Sequence, residues 1–215
     1  MKTGDTISLK VCGMRDERNI WEVAALQPDY MGFIFYEKSP RFVGPDFVMP
    51  PMPGEIRKVG VFVNERTEIM IQIRERYELD YLQLHGTESP EQLAEVKKRG
   101  IGIIKVFSVD DEFDFDRTRA YEEYADFFLF DAKGKYYGGN ASLFNWRILE
   151  QYNQRVPFFL SGGIKSESIP AMIALKGMNV HAVDINSGVE SAPAMKDASM
   201  ISALKNELKK IKLDK

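Results

Sequence analysis

The sequence has little of the chemistry that builds disulfide frameworks and zinc sites. Among its 215 residues there are one cysteine, Cys12, and two histidines, His85 and His181. A single cysteine excludes an internal disulfide, and two isolated histidines leave too few soft ligands for a zinc site. The chain also lacks a large excess of one charge, since its formal net charge at pH 7 is -3. We therefore expect no nucleic-acid partner.

Long hydrophobic runs are absent as well. No segment approaches the roughly 20 apolar residues that cross a bilayer, and the N-terminus lacks the apolar stretch of a signal peptide. We therefore expect a cytoplasmic protein that does not associate with membranes. In residues 197–215, Ile201, Leu204, Leu208 and Ile211 recur at helical spacing. This stripe predicts an amphipathic helix that covers a core, and a membrane-surface helix is the less favoured alternative.

The chain does contain a regular alternation of apolar runs and charged helical segments. Eight runs rich in β-branched and aromatic residues predict strands. They are Ser8–Cys12, Tyr30–Tyr36, Lys58–Val63, Tyr81–Leu84, Ile103–Phe107, Phe127–Asp131, Val156–Leu160 and Ala182–Ile185. Segments with a 3.6-residue period lie between most of these strands. They are Glu65–Tyr77, Ser89–Arg99, Phe144–Tyr152 and Ser166–Leu175.

Alternating strands and helices build parallel sheets through right-handed crossovers. Eight units favour a closed (β/α)8 barrel, although a doubly wound open sheet would show the same alternation. The sequence lacks the Gly-x-Gly-x-x-Gly and Gly-Lys-Ser/Thr motifs of dinucleotide and nucleoside triphosphate folds. No linker or low-complexity tract interrupts the chain, so we expect one domain over residues 1–215.

The connections between the predicted strands differ in character. Ser89 and Pro90 are typical of a helix start, and Gly100 is typical of a helix end. Residues 39–54 contain five prolines, which predict a functional loop followed by a short helix. Residues 110–126 are acidic and weakly periodic. A full helix is therefore not required there.

Polar residues at the strand ends are the candidate site, because the active site of such a barrel lies at the carboxyl ends of its strands. Cys12 ends the first strand, and Lys10 lies on the same strand face, where a cation could favour the thiolate. Asp131 follows four apolar residues, and poor solvation would favour the protonated form of a general acid. The alternatives are a small buried thiol and a helix cap.

Glycine-containing loops follow the seventh and eighth strands. Gly162 and Gly163 lie in the first loop, and Ser187 and Gly188 lie in the second. Backbone amides at helix starts bind phosphate dianions, and barrels often bind phosphate with these two loops. We therefore expect a phosphate site. Arg41, after the second strand, could clamp a carboxylate or remain a solvated surface residue.

With these segments in place, the chain resembles the phosphoribosylanthranilate isomerase family over nearly its whole length. The motifs that carry the resemblance are dispersed and occur in order. They are Lys10-Val-Cys-Gly13, Gly32-Phe-Ile-Phe-Tyr-Glu-Lys-Ser-Pro-Arg41, Val59-Gly-Val-Phe-Val-Asn64, Leu82-Gln-Leu-His-Gly86, Ser161-Gly-Gly-Ile164, and Asp184-Ile-Asn-Ser-Gly-Val-Glu-Ser-Ala-Pro193 with Lys196-Asp197. One motif alone would be weak, but the ordered set is hard to obtain by chance.

The resemblance implies a TIM barrel without metal or organic cofactor, acting on N-(5-phosphoribosyl)anthranilate, a small phosphosugar, as a monomer or homodimer. The implied reaction is an Amadori rearrangement in tryptophan biosynthesis. Cys12 would be the general base and Asp131 the general acid, and Arg41 would hold the anthranilate carboxylate. The implied phosphate-binding residues are Gly162, Gly163, Ser187 and Gly188, and the implied pocket residues are Gln83, His85 and Asp184.

The sequence departs from the family in one loop, and three other functions are alternatives to the implied one. The family's loop after Asp131 usually ends in Gly-Gly-Thr-Gly, whereas this chain has Gly138-Gly-Asn-Ala-Ser142, so that loop's contacts are not carried over. The histidine-pathway isomerase uses aspartate at the first-strand position, and Cys12 argues against it. A sensor without turnover is opposed by the presence of both Cys12 and Asp131. An indole-forming synthase needs a lysine and a glutamate at strand ends, of which Lys105 supplies one.

Overall fold

The computed structural model describes residues 7–132 and 146–211. Eight parallel strands, numbered along the chain, close into a barrel in which neighbours in sequence pair with each other. They are β1 (Ser8–Val11), β2 (Tyr30–Ile34), β3 (Arg57–Phe62), β4 (Tyr81–Leu84), β5 (Gly102–Val109), β6 (Phe127–Ala132), β7 (Phe158–Ser161) and β8 (Val180–Ile185). The barrel closes where β1 pairs with β8. The (β/α)8 barrel is confirmed, and the open-sheet alternative is wrong.

Helical segments connect most of the strands. The α-helices are α1 (Glu17–Ala24), α2 (Thr67–Tyr77), α3 (Pro90–Lys97) and α4 (Ala198–Leu208). The 3₁₀ helices are Phe115–Tyr121, Trp146–Gln151, Ser166–Leu175 and Ser187–Val189. After β8 the short strands β9 (Glu190–Ala192) and β10 (Met195–Lys196) pair antiparallel. Within the two described ranges, no helix is long and apolar enough to cross a membrane.

The predicted helix ends follow from local capping. The Ser89 side chain accepts a hydrogen bond from the backbone N–H of Gln92, and Pro90 occupies the first turn of α3. Gly100, with φ at 70°, adopts the left-handed conformation that glycine tolerates best. The predicted start of this helix is confirmed, whereas the helix ends at Lys97 with Lys98 as its C-cap, so Gly100 lies two residues beyond the cap. The amphipathic helix predicted near the C-terminus is α4, which begins after the capping side chain of Asp197.

Two of the predicted helices differ from the structure for reasons that involve proline. The short helix expected after the proline-rich loop is wrong, because residues 35–56 form turns and a single bridge between Ile34 and Phe42. Prolines there have no N–H to donate to a helix. The segment Ser166–Leu175 has the predicted bounds but is a 3₁₀ helix, and it contains Pro170. The acidic connection before β6 contains only the 3₁₀ helix Phe115–Tyr121, as its weak periodicity suggested.

The interior of the barrel changes from apolar to polar along the strands. An inner cluster fills the amino-terminal half of the barrel, and its members are Tyr30, Val59, Ile104, Val106, Leu129, Phe159 and Ala182. Side chains two residues apart share a strand face. Asp131 therefore follows Leu129 on the interior face of β6, and Asp184 follows Ala182 on β8. The polar side chains of the site therefore lie directly above this apolar cluster in the barrel interior.

A buried ion pair braces the loop after β4 against β5. The Nζ atom of Lys105 lies 2.7 Å from Oε2 of Glu88 and donates to the carbonyl oxygen of Gly86 at 2.8 Å. Glu88 also accepts hydrogen bonds from the backbone N–H groups of Asn64 and Gly86. The Glu88 side chain is fully buried, and burial lowers the pKa of Lys105 although Glu88 opposes this shift. The pair therefore fixes the segment that follows His85.

We expect Glu88→Gln and Lys105→Met each to lower the free energy of unfolding by about 3–5 kcal/mol, because each leaves a buried charge without its partner. Urea titration followed by circular dichroism measures the change. Glu207→Gln is the matched control, since the pair of Glu207 with Lys210 is exposed. Such a pair contributes about 1 kcal/mol or less. Equal losses in Lys105→Met and the control would contradict a stabilising role for the buried pair.

Candidate active site

A cavity of about 220 Å³ opens at the carboxyl ends of the strands. Eight of the residues predicted from the sequence line it, namely Cys12, Gln83, His85, Asp131, Gly162, Gly163, Asp184 and Ser187. Arg41 and Gly188 do not line this cavity. Cys12 follows β1 and Asp131 lies in β6, so the predicted base and acid enter one cavity from well-separated strands.

Cys12 owes its position to a glycine on the neighbouring strand. Its side chain is 4% exposed and lines the cavity. A Cβ atom placed on Gly32 of β2 would lie 2.6 Å from the Cys12 sulfur, which is closer than real side chains approach. The absence of a side chain at Gly32 therefore makes the space that the thiol fills.

Lys10 is fully buried in the barrel beneath the cavity. Its Nζ atom donates hydrogen bonds to Oε1 of Gln83 at 2.8 Å and to Oδ1 of Asp184 at 2.9 Å. These contacts join β1 to β4 and to β8 across the barrel interior. Burial alone would lower the pKa of Lys10, but the Asp184 carboxylate raises it above its usual value. Lys10 is therefore a buried cation at the base of the site.

The electrostatic surroundings of Cys12 combine burial, which disfavours the thiolate, with a cation that favours it. Burial raises the pKa of the thiol, and the positive charge and hydrogen bond of Lys10 only partly offset that rise. The nearby Asp184 carboxylate raises it further. The cation therefore acts in the predicted direction, but burial and Asp184 leave the pKa of the thiol raised. A buried, carboxylate-compensated lysine cannot outweigh the loss of water around the sulfur.

Asp131 lies at the rim of the cavity that Cys12 and Asp184 also line. Its Oδ2 atom is 3.6 Å from Nε2 of His85, and its side chain is 31% exposed. His85 in turn lies 3.5 Å from Gln83, through Nδ1 and Nε2 respectively. The expected poor solvation is therefore not observed, because Asp131 follows the buried stretch of β6 and reaches the barrel mouth.

The two loops predicted to bind phosphate pack against each other. Gly162 and Gly163 have φ values of 112° and 64°, which L-residues rarely adopt. A Cβ atom on Gly188 would lie 2.4 Å from the carbonyl oxygen of Ile164, so the second loop touches the first through a glycine. Gly188 therefore supports the loop pair, while Gly162, Gly163 and Ser187 face the cavity.

Arg41 is engaged by a carboxylate of the chain itself. Its Nε and Nη2 atoms donate to the two carboxylate oxygens of Glu190, with contacts of 2.8, 3.0 and 2.6 Å. Lys196 also donates to Glu190, at 2.5 Å, and to Oδ1 of Asn186 at 2.6 Å. Asn186 lines the cavity. Asn186, Glu190 and Lys196 were not predicted as site residues, although all three lie in the last motif of the resemblance.

Three further points of comparison with the sequence are a metal site, the synthase alternative and the loop after Asp131. In the described part of the chain, no group of three His, Cys, Asp or Glu side chains is arranged to hold a metal ion. Lys105 pairs with the buried Glu88 and does not line the cavity, which argues against an indole-forming synthase. The altered loop Gly138-Gly-Asn-Ala-Ser142 lies outside the described residues.

Similarity to known proteins agrees with this geometry. A model of the N-(5'-phosphoribosyl)anthranilate (PRA) isomerase family matches residues 9–207. The N-(5'-phosphoribosyl)anthranilate isomerase of Parabacteroides distasonis is 45% identical over 207 residues, covering 94% of this chain and 92% of the relative. That of Phocaeicola vulgatus is 40% identical over 203 residues, covering 94% and 97%.

Solved structures give the same result. The phosphoribosyl anthranilate isomerase of Thermotoga maritima superposes with a TM-score of 0.83 and 31% identity, covering 96% of this chain and 100% of that chain. A phosphoribosyl anthranilate isomerase in complex with reduced 1-(o-carboxyphenylamino)-1-deoxyribulose 5-phosphate superposes with a TM-score of 0.80 and 29% identity, covering 96% and 100%. The chain thus belongs to the phosphoribosylanthranilate isomerase family, the isomerases of tryptophan biosynthesis.

Proposed function

We propose that the chain converts N-(5'-phosphoribosyl)anthranilate into 1-(2-carboxyphenylamino)-1-deoxyribulose 5-phosphate, with Cys12 as general base and Asp131 as general acid. The observation that carries the proposal is their shared cavity, which both side chains line. An aldose-to-ketose rearrangement needs a proton delivered to one atom of the sugar and removed from another. An acid and a base from separate strand ends meet that requirement.

The proposed reaction begins when Asp131 protonates the furanose ring oxygen. The lone pair of the glycosidic nitrogen then forms a C=N bond while the C1'–O bond breaks, which gives a protonated Schiff base. The Cys12 thiolate removes the C2' proton, and the electron pair of that C–H bond neutralises the iminium. The resulting enolamine tautomerises to the ketose product. No redox partner is consumed, since the substrate's C1' is reduced as C2' is oxidised.

The two anionic ends of the substrate fix its orientation in the proposal. The glycine loops at Gly162, Gly163 and Ser187 face the cavity and offer backbone amides to the phosphate. Arg41 takes the anthranilate carboxylate, a pairing that the planar guanidinium favours. Holding both ends restricts rotation of the sugar and keeps C2' near the base.

Lys10 sets the charge that Cys12 experiences. The raised pKa of the thiol means that the thiolate is scarce in the free protein, but it is also the stronger base once formed. The Lys10 ammonium stabilises that thiolate, because it lies on the same strand face and its positive charge favours the ionised sulfur. Asp184 keeps Lys10 protonated. Cys12, Lys10 and Asp184 therefore act together in the proposal.

The proposal extends to the setting of the enzyme. The chain acts in the cytoplasm on a small phosphosugar, as one barrel domain over residues 1–215, without nucleic acid or membrane. The Thermotoga maritima isomerase is dimeric, and the monomers generated from it are 28% identical to this chain. A monomer and a homodimer are both compatible with a site built from residues of one chain.

We expect Cys12→Ser and Asp131→Asn each to lower kcat by roughly 10²- to 10⁴-fold, the usual contribution of a positioned proton-transfer group. Neither change removes a contact assigned to the phosphate or carboxylate, so substrate binding should be largely retained. The loss of fluorescence as phosphoribosylanthranilate is consumed measures turnover. Asp110→Asn is the matched control, because Asp110 is exposed and directly follows β5.

Near-normal turnover in either variant would refute the role assigned to that residue. Binding of the substrate without turnover by the unaltered protein would instead favour the sensor alternative. Rearrangement of the histidine-pathway substrate in preference to phosphoribosylanthranilate would refute the proposed specificity, so both substrates belong in the assay.

The single cysteine allows its titration to be measured directly. We expect the pH midpoint for alkylation of Cys12 by iodoacetamide to lie above that of the unfolded chain, because burial raises the thiol's pKa in the folded protein. Lys10→Met removes the cation that opposes this rise, so the midpoint should move higher still. Lys58→Met is the control, since Lys58 lies at the start of β3, at the opposite end of the barrel.

The double variant Lys10→Met/Asp184→Asn separates the electrostatic effect from loss of structure, because it removes both charges of the buried pair. Its circular dichroism and melting temperature report whether the barrel still forms. A folded Lys10→Met protein with an unchanged or lower midpoint would rule out the proposed action of Lys10 on the thiol.

A further inference from the structure

The guanidinium of Arg41 lies beside the entrance of the cavity. A Cβ atom on Gly13, the residue after Cys12, would lie 2.8 Å from Cδ of Arg41. Phe42, the residue after Arg41, bridges to Ile34, which lines the cavity. The side chain of Arg41 is 20% exposed. A ligand in the cavity can therefore reach this guanidinium from its open side.

In the part of the chain that the structure describes, the hydrogen bonds of the guanidinium use one of its edges. Glu190 accepts from Nε and Nη2, which together form the side-on edge of the planar group. Within residues 7–132 and 146–211, Nη1 of Arg41 donates no hydrogen bond. A guanidinium carries five N–H groups in a fixed plane, so a second carboxylate can bind at the end-on edge made by Nη1 and Nη2.

Glu190 is itself held rigidly. Its side chain is 6% exposed, and it accepts from Nζ of Lys196 at 2.5 Å and from the backbone N–H of Ala194 at 3.1 Å. Glu190 also pairs with Lys196 across the β9–β10 hairpin. Burial alone would raise the pKa of Glu190, but the hydrogen bonds from Arg41 and Lys196 lower it. The carboxylate therefore stays ionised and immobile.

We infer that Glu190 is a positioning residue for substrate specificity: it holds Arg41 by the side-on edge and presents the end-on edge to the carboxylate of the substrate's aromatic ring. The inference rests on the proposed function, in which Arg41 binds that carboxylate. One guanidinium then bridges an internal carboxylate and a substrate carboxylate. A substrate whose aromatic ring lacks the ortho carboxyl group gains no contact with this edge of Arg41. The enzyme therefore selects for substrates that carry the carboxyl group.

The test measures how much binding the ring carboxyl group contributes. The probes are reduced 1-(o-carboxyphenylamino)-1-deoxyribulose 5-phosphate and the same compound without its carboxyl group, each titrated calorimetrically. In the unaltered protein, removal of the carboxyl group should weaken binding by roughly tenfold to a hundredfold, the range for hydrogen bonds to charged groups. In Glu190→Gln this ratio should fall by several fold. KM for phosphoribosylanthranilate should rise while kcat stays nearly unchanged.

The control variants distinguish a positioning role of Glu190 from a purely structural one, and they test the role of Arg41 separately. Glu122→Gln removes a paired carboxylate that contacts Arg155, outside the cavity lining, and should leave the ratio unchanged. If Glu190→Gln weakens the binding of both probes equally, Glu190 only supports the fold. If the carboxylated probe binds more tightly to this variant, Glu190 competes with the probe's carboxylate for Arg41. Either result overturns the inference. A ratio that persists in Arg41→Met refutes the role of Arg41 itself.

Discussion

The buried ion pair between Lys10 and Asp184 is the constraint on which the site depends. It joins β1 and β8, the strands whose pairing closes the barrel, and its two residues lie directly opposite each other in register. A buried ammonium needs an anionic partner, because desolvation of an isolated charge costs several kcal/mol. The pair therefore fixes the strand ends that carry Cys12 and Asp184, and it marks the level at which the barrel interior becomes polar.

The barrel could be predicted because its strands are short apolar runs with sharp boundaries. β4, at Tyr81–Leu84, has the predicted bounds, and the other strands differ by one or a few residues. Helix type was harder to predict, since periodicity does not separate an α-helix from a 3₁₀ helix such as Ser166–Leu175. The connection over residues 35–56 has turns where a helix was expected, because five prolines withdraw the N–H groups that a helix would use.

That Cys12 and Asp131 share a cavity could be predicted for a topological reason: the carboxyl ends of all eight strands converge on one mouth. The pairing of Glu190 with Arg41 could not be predicted in this way. The two residues are 149 positions apart in the chain, and Arg41 lies in an irregular loop. Nor does the topology give the balance of charges at Cys12. The sequence places Lys10 on the right strand face, but the depth of burial that raises the pKa of the thiol depends on packing from several strands.

Each cation of the site contacts a carboxylate of the protein before any substrate enters. Lys10 pairs with Asp184, and Arg41 and Lys196 share Glu190. Such compensation limits how far the cations can lower the pKa of Cys12, and under the proposed function backbone amides rather than these cations bind the phosphate. A base of raised pKa is well suited to a carbon acid, because proton removal from carbon is more favourable to a stronger base. In the proposed reaction, the raised pKa of Cys12 preserves the strength of the base, while the two anionic ends of the substrate bind elsewhere, at the glycine loops and at Arg41.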